Sequence, residues 1–134
     1  IIPDRIEAGT FLIAGAITRS PITVAGGRPD HQLAVLDVLR QMGVEVKRQR
    51  ARMTIVPCER PKAAELATLP YPAFPTDVQS PILALMALAS GTSIITERIY
   101  PDRFMAAAEM KRLGANIAVS NGQAVVQGVE RLQG

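Results

Sequence analysis

Shifted by 71 positions, the chain falls on itself: Phe11 meets Ile82, Ile22 meets Ser93, Leu33 meets Phe104, Leu39 meets Met110, Met42 meets Leu113 and Gly43 meets Gly114. In such a repeat each copy is a supersecondary unit that must bury its apolar face against the next. The units divide near residue 62, into about 1–62 and 63–134, and each reads strand, helix, strand, helix, strand, strand. The first helices, Phe11-Leu12-Ile13-Ala14-Gly15-Ala16-Ile17 and Ile82-Leu83-Ala84-Leu85-Met86-Ala87-Leu88, are apolar all the way round. A helix of that kind needs cover on every side, so both belong in the interior. The second helices, about Asp30 to Met42 and Asp102 to Leu113, are amphipathic, with Leu33, Leu36, Leu39 and Met42 striped opposite Asp37, Arg40 and Gln41. Gly43 and Gly114 supply their left-handed C-terminal caps.

The remaining boundaries follow from local signals. Thr10 or Gly9 caps the first helix, Ile22 to Val24 is a short strand ended by Gly26-Gly27, and Val44 to Gln49 pairs with Met53 to Val56. Ala64 to Thr68 is a further short strand, Ile82 to Ala89 a helix and Thr92 to Thr96 a β-branched strand. Asn121-Gly122 between Ile117-Ala118-Val119 and Ala124-Val125-Val126 is the strongest hairpin signal present. Lys47, Arg48, Arg50 and Arg52 crowd the first hairpin, where Arg48, Arg50 and Arg52 share a face if the strand stays regular.

Composition narrows the function classes. With 48% hydrophobic and 20% charged residues over 134 positions, this is a globular chain able to bury a core. No apolar run approaches the roughly 18 residues of a membrane span, so a soluble protein is expected, and a single cysteine fits the reducing cytoplasm. The lone Cys58 forms no internal disulfide. A net charge of +3 permits an anionic partner, and a small RNA-binding module is one competing reading; no aromatic residue interleaves with the basic hairpin to support it. His31 is the single histidine, so neither a metal site nor a Ser-His-Asp triad is expected, and no cofactor. Gly26-Gly27 lacks the remaining glycines and lysine of a phosphate loop.

The chemistry concentrates in Pro70-Tyr71-Pro72-Ala73-Phe74-Pro75-Thr76-Asp77-Val78-Gln79, where three prolines in six residues set a rigid, extended loop. Ser80 as N-cap and Pro81 at the first helical position start the next helix. Asp77 therefore arrives at a helix N-terminus, suited either to accept a proton from a hydroxyl ligand or to cap the same helix.

That loop resembles the corresponding one of the UDP-N-acetylglucosamine enolpyruvyl transferases, the 1-carboxyvinyltransferases. Pro3-Asp4-Arg5-Ile6-Glu7-Ala8-Gly9-Thr10-Phe11 resembles the opening of that family's second lobe, and Ile95-Thr96-Glu97 with Asp102-Arg103-Phe104-Met105 resembles its next diagnostic stretch. The resemblance implies an inside-out α/β barrel lobe of three units about a pseudo-threefold axis, helices inside and sheets outside, of which two are present. It implies transfer of the enolpyruvyl group of phosphoenolpyruvate to the 3-hydroxyl of UDP-N-acetylglucosamine. Carried over residue by residue, it implies that Asp77 is the general base, that Pro75 and Thr76 lie near the nucleotide-sugar, that the Ile99 backbone contacts it with Tyr100 following, and that Arg103 borders the cleft. Arg103 paired with Asp102, Glu97 or Glu109 is the plainer alternative. Arg5 matches the opening motif's arginine, with an Asp4-Arg5 pair organising the chain crossing as its alternative.

Three departures stand out: Pro81 in the helix's first turn, Ala106 where many members carry histidine, and Cys58 outside any reactive cysteine loop. A chain that begins at Ile1 and holds two units is expected to be a fragment, inactive alone, lacking the other lobe and third unit and prone to self-association. The sister transferase acting on shikimate phosphate is the nearer competing activity.

Overall fold

Asp4 starts the first helix. Its carboxylate accepts the backbone N–H of Ile6 at 2.8 Å and of Glu7 at 3.3 Å, the capping geometry that satisfies two of a helix's free donors. In the computed structural model, which describes residues 1–134, helix α1 consequently spans Arg5–Ile17. It opens five residues before the Thr10 expected from sequence, and Gly9 and Thr10 lie inside it, the Thr10 hydroxyl donating to Ile6 O at 2.8 Å.

The order continues as β1 (Thr23–Ala25), a 3-10 turn (Pro29–His31), α2 (Leu33–Gln41), β2 (Glu45–Gln49) and β3 (Arg52–Val56). Then come β4 (Glu65–Ala67), a second 3-10 turn (Thr76–Val78), α3 (Gln79–Ala87), β5 (Thr92–Thr96), α4 (Met105–Arg112), β6 (Asn116–Ser120) and β7 (Gln123–Gln127). Both hairpins coincide end to end at the offset of 71, and Gly43 and Gly114 carry φ of 77° and 92° after their helices. A left-handed residue just past a helix is where glycine avoids the Cβ penalty.

The sheets are ordered β1-β3-β2 and β4-β5-β7-β6, antiparallel except for the parallel β4-β5 pair. The second unit thus shows all six expected elements, whereas the first shows no strand ahead of α1. Each sheet turns one face inward: Met53 and Ile55 are buried between exposed Arg52 and half-buried Thr54, and Ala124 and Val126 alternate with exposed Gln127 and Val125. Helices α1 and α3 pack on each other between these faces, α1 against β1 and β3, α3 against β7. Leu12, Ile13, Ile82, Leu83, Leu85 and Met86 are fully enclosed there, so the all-apolar helices lie inside and the sheets outside.

Other expectations need correction. The Pro29–His31 turn delays α2, whose buried stripe is Val35, Leu36, Val38 and Leu39 while Leu33 is exposed. Helix α4 starts at Met105, after a turn through Pro101-Asp102. Helix α3 starts at Gln79 with Val78 before it, so Ser80 does not cap and Pro81 is the third helical residue. Proline is accepted there because the N–H it lacks belongs to the first turn, which has no carbonyl to meet. Arg50, at φ 45°, is in the β2-β3 turn, and Arg48 opposes Met53 while Arg52 opposes Gln49. Arg48, Arg50 and Arg52 therefore share no face.

Candidate functional site

The loop from Leu69 to Pro75 turns back on itself instead of running extended. Ala73 N–H donates to Pro70 O and Leu69 N–H to Phe74 O, both at 3.1 Å, while Phe74 is 3% exposed and pins the loop to the core. Pro75 O then accepts Val78 N–H at 3.1 Å to close the 3-10 turn that presents Asp77.

Asp77 does not cap α3, whose N-cap Val78 has no side-chain capping bond. Its Oδ1 accepts Arg103 Nη1 at 2.9 Å. The alternative partners for Arg103, namely Asp102, Glu97 and Glu109, are not used: Glu109 takes Arg112 at 3.0 Å, and Glu97 is reached only through a hydroxyl. The side chains of Arg103 and Asp77 are 38% and 56% exposed. A pair that open contributes about 0–1 kcal/mol, so stability alone gives little reason for it. Asp77 Oδ2 and the Nε and Nη2 groups of Arg103 make no hydrogen bond within the chain, so a part-exposed acceptor and a part-exposed cation are left with bonding capacity beside each other.

Arg103 is held from several directions. Nη1 also donates to Thr76 Oγ1 at 3.3 Å, the guanidinium carbon lies 5.7 Å from the Tyr100 ring centre, and its carbonyl accepts Gln79 Nε2 at 2.6 Å. Gln79 is fully buried, so α3 and the approach to α4 are tied beneath the pair. Thr76 in turn donates to Glu97 Oε2 at 3.1 Å, and Glu97 Oε1 accepts Ile99 N–H and Tyr100 N–H, each at 3.1 Å. Pro75, Thr76, Asp77, Ile99, Tyr100 and Arg103 are thus one connected surface, with the Ile99 amide already engaged and its carbonyl left free.

Arg5 stands apart from this group. Its guanidinium lies over the Tyr71 ring, 4.8 Å from the centre, instead of pairing with Asp4, and a recess of about 440 Å³ beside it is lined by Arg5, His31 and Tyr71 among others. Asp77 and Arg103 do not line that recess; theirs is an open wall. Near it, the Arg28 hydrogen bond at 2.7 Å holds the Asp30 carboxyl below its usual range.

Glu97, which the sequence offers only as part of a motif and as an alternative partner for Arg103, is the buried centre of this hydrogen-bond cluster. In Ile95-Thr96-Glu97-Arg98 a carboxylate beside a basic residue at a strand end has the appearance of surface, yet Glu97 is 2% exposed. The available signal was the hydroxyls of Thr68 and Thr76, but nothing local says that chains 29 and 21 residues away will meet it.

The comparisons agree with this architecture. The family model described as EPSP synthase (3-phosphoshikimate 1-carboxyvinyltransferase) matches residues 1–134. UDP-N-acetylglucosamine 1-carboxyvinyltransferase 1 of Symbiobacterium thermophilum is 52% identical over 134 residues, all of this chain and 30% of that protein. The UDP-N-acetylglucosamine 1-carboxyvinyltransferase of Trichormus variabilis is 50% identical over 135 residues, again 100% of this chain and 30% of the relative. Among solved structures, the enolpyruvyl transferase NikO from Streptomyces tendae superimposes with a TM-score of 0.84 at 30% identity, over 96% of this chain and 31% of that one. EPSP synthase from Acinetobacter baumannii, at 18% identity and a TM-score of 0.68 over 100% of this chain and 32% of that one, shares the fold. The chain spans about a third of the length of these relatives. With a match along its whole length and two sheets enclosing paired apolar helices, the chain belongs to the EPSP synthase family of enolpyruvyl (1-carboxyvinyl) transferases.

Proposed function

We propose that the chain forms one wall of the active site of a UDP-N-acetylglucosamine 1-carboxyvinyltransferase, acting in peptidoglycan-precursor synthesis in the cytoplasm. No helix is long and apolar enough to cross a membrane. The observation that carries the reading is the Asp77–Arg103 pair, with one carboxylate oxygen and one guanidinium edge free on an open surface. In this reading the sugar 3-hydroxyl gives its proton to Asp77 Oδ2 as its oxygen bonds to C2 of phosphoenolpyruvate, and the methylene carbon takes a proton from an acid outside this chain. Phosphate then leaves from C2 as a methyl proton is removed, restoring the double bond. Thr76 and Pro75 border the sugar, the free Ile99 carbonyl accepts from it, and Arg103 offers Nε and Nη2 to an anionic group. Arg5, on Tyr71, bounds the far end of the same loop.

Identity near 50% to proteins named for the UDP-sugar, against 18% to EPSP synthase, favours this acceptor over shikimate phosphate. The test is phosphate release from phosphoenolpyruvate by the intact protein that carries this chain, with each acceptor in turn. Release with UDP-N-acetylglucosamine and none with shikimate 3-phosphate is expected. The reverse preference would overturn the acceptor assignment.

A further inference from the structure

Among the buried side chains of this chain, Glu97 alone carries a charge, and it has no cation within ion-pair distance. It is satisfied by four donors instead: the hydroxyls of Thr68 and Thr76 and the amides of Ile99 and Tyr100. Two are main-chain N–H groups. Thr68 Oγ1 also accepts Arg98 N–H at 3.0 Å, and Thr76 Oγ1 also accepts Arg103 Nη1 at 3.3 Å, while each hydroxyl donates to Glu97.

A directed chain therefore runs from Arg103 through the Thr76 hydroxyl to Glu97, and its first member is also the cation that grips Asp77. We propose that Glu97 is a positioning residue for the Asp77–Arg103 pair. By taking the Thr76 hydroxyl hydrogen, it turns that oxygen's lone pair toward Arg103. By taking the amides of Ile99 and Tyr100, it locks the turn that carries the Tyr100 ring under the same guanidinium. Asp77 and Arg103 are themselves half open to solvent, so their geometry is set from this buried anchor beneath them. The catalytic consequence rests on the function proposed above; the structural link does not.

Glu97→Gln isolates the link. The amide oxygen in place of Oε1 still accepts Thr68, Ile99 and Tyr100, whereas the amide nitrogen in place of Oε2 faces Thr76 as a donor, so the hydroxyl hydrogen loses its acceptor and must leave the position that orients the oxygen toward Arg103. Thr76→Val cuts the link from the other side. In the intact protein, hydrogen exchange of the Arg103 guanidinium followed by NMR should accelerate about fivefold in either variant, as loss of one hydrogen bond warrants. The double variant should be no faster than the faster single, and the Ile99 and Tyr100 amides should stay protected in Thr76→Val. Turnover should fall roughly tenfold to a hundredfold, the scale of a small misplacement, with less change in KM. Unchanged Arg103 exchange in Thr76→Val, or additive acceleration in the double variant, would overturn the proposal even if Glu97→Gln did not fold. Accelerated exchange with full turnover would support the link and remove the pair from the reaction, so the two readings fail separately.

Discussion

Gly128 sits where a β-carbon would fall 1.6 Å from the carbonyl oxygen of Ala89, a main-chain atom that cannot swing aside. Its N–H donates to Gly91 O at 2.9 Å, so the end of β7 is clamped against the α3-β5 turn. Gly128→Ala should destabilise by about 3 kcal/mol or more, at the upper end of overpacking costs, read as a lowered denaturation midpoint. Asp37 makes a gentler case. Arg40 and Gln41 donate to it at 2.7 and 2.9 Å, and the Arg40 bond, then the Gln41 bond, hold its carboxyl below the usual range. A depressed carboxyl contributes stability above its unfolded pKa of about 3.9 and loses it as pH falls through the lower folded value. Melting temperatures of the native protein and Asp37→Asn should therefore differ at neutral pH and converge in strong acid, by a small amount because Arg40 is largely exposed. At this scale Asp77 was legible, because a carboxylate after a proline-rich loop is conspicuous. Its partner was not, since Arg103 lies 26 residues on and any of three nearer acidic residues suited it equally.

The two units tie the starts of their helices together with a buried glutamine, and the polarity reverses between them. Gln32, just before α2, donates from Nε2 to Arg5 O at 2.5 Å at the start of α1, whereas Gln79, at the start of α3, donates to Arg103 O just before α4. Position 32 is equivalent to 103 at the offset of 71, while Gln79 is equivalent to Ala8, three residues after Arg5, so neighbouring points of the two units are joined by donors from opposite sides. The hairpins were legible to within a residue at each strand end, because Asn121-Gly122 and the alternating strands carry their own geometry; Asn121 and Gly122 have φ of 50° and 72°. Helix starts were less so: Ser80-Pro81 carried a capping signal that the 3-10 turn pre-empted, and Gly9-Thr10 looked like the start of a helix that Asp4 had already begun. Gly122 also carries function to the site, since its carbonyl accepts Glu97 N–H at 2.8 Å and an added Cβ would lie 3.2 Å from Pro101 Cβ. Gly122→Ala should cost about 1–2 kcal/mol for its left-handed conformation and speed exchange of the Glu97 amide; an unchanged amide would separate the turn from the site.

Over the whole molecule, α3 is enclosed while α1 keeps one side open: Phe11 is 52% exposed beside a recess of about 400 Å³ reached by Val24, Ala25 and Gly26. The repeat made this legible in outline, since two all-apolar helices need more neighbours than two units supply, but which helix is left open follows from packing alone. The isolated chain should self-associate through this face, and sedimentation across concentrations should show it, with Phe11→Ser weakening the association; a strict monomer that binds no hydrophobic dye would mean that two units close their own core. In the proposed reaction this wall contributes the base through Asp77. Asp77→Asn keeps the loop's shape and removes the carboxylate, so turnover of UDP-N-acetylglucosamine and phosphoenolpyruvate by the intact protein should fall roughly a hundredfold or more, in the range of general-base loss, and near-native turnover would contradict the account.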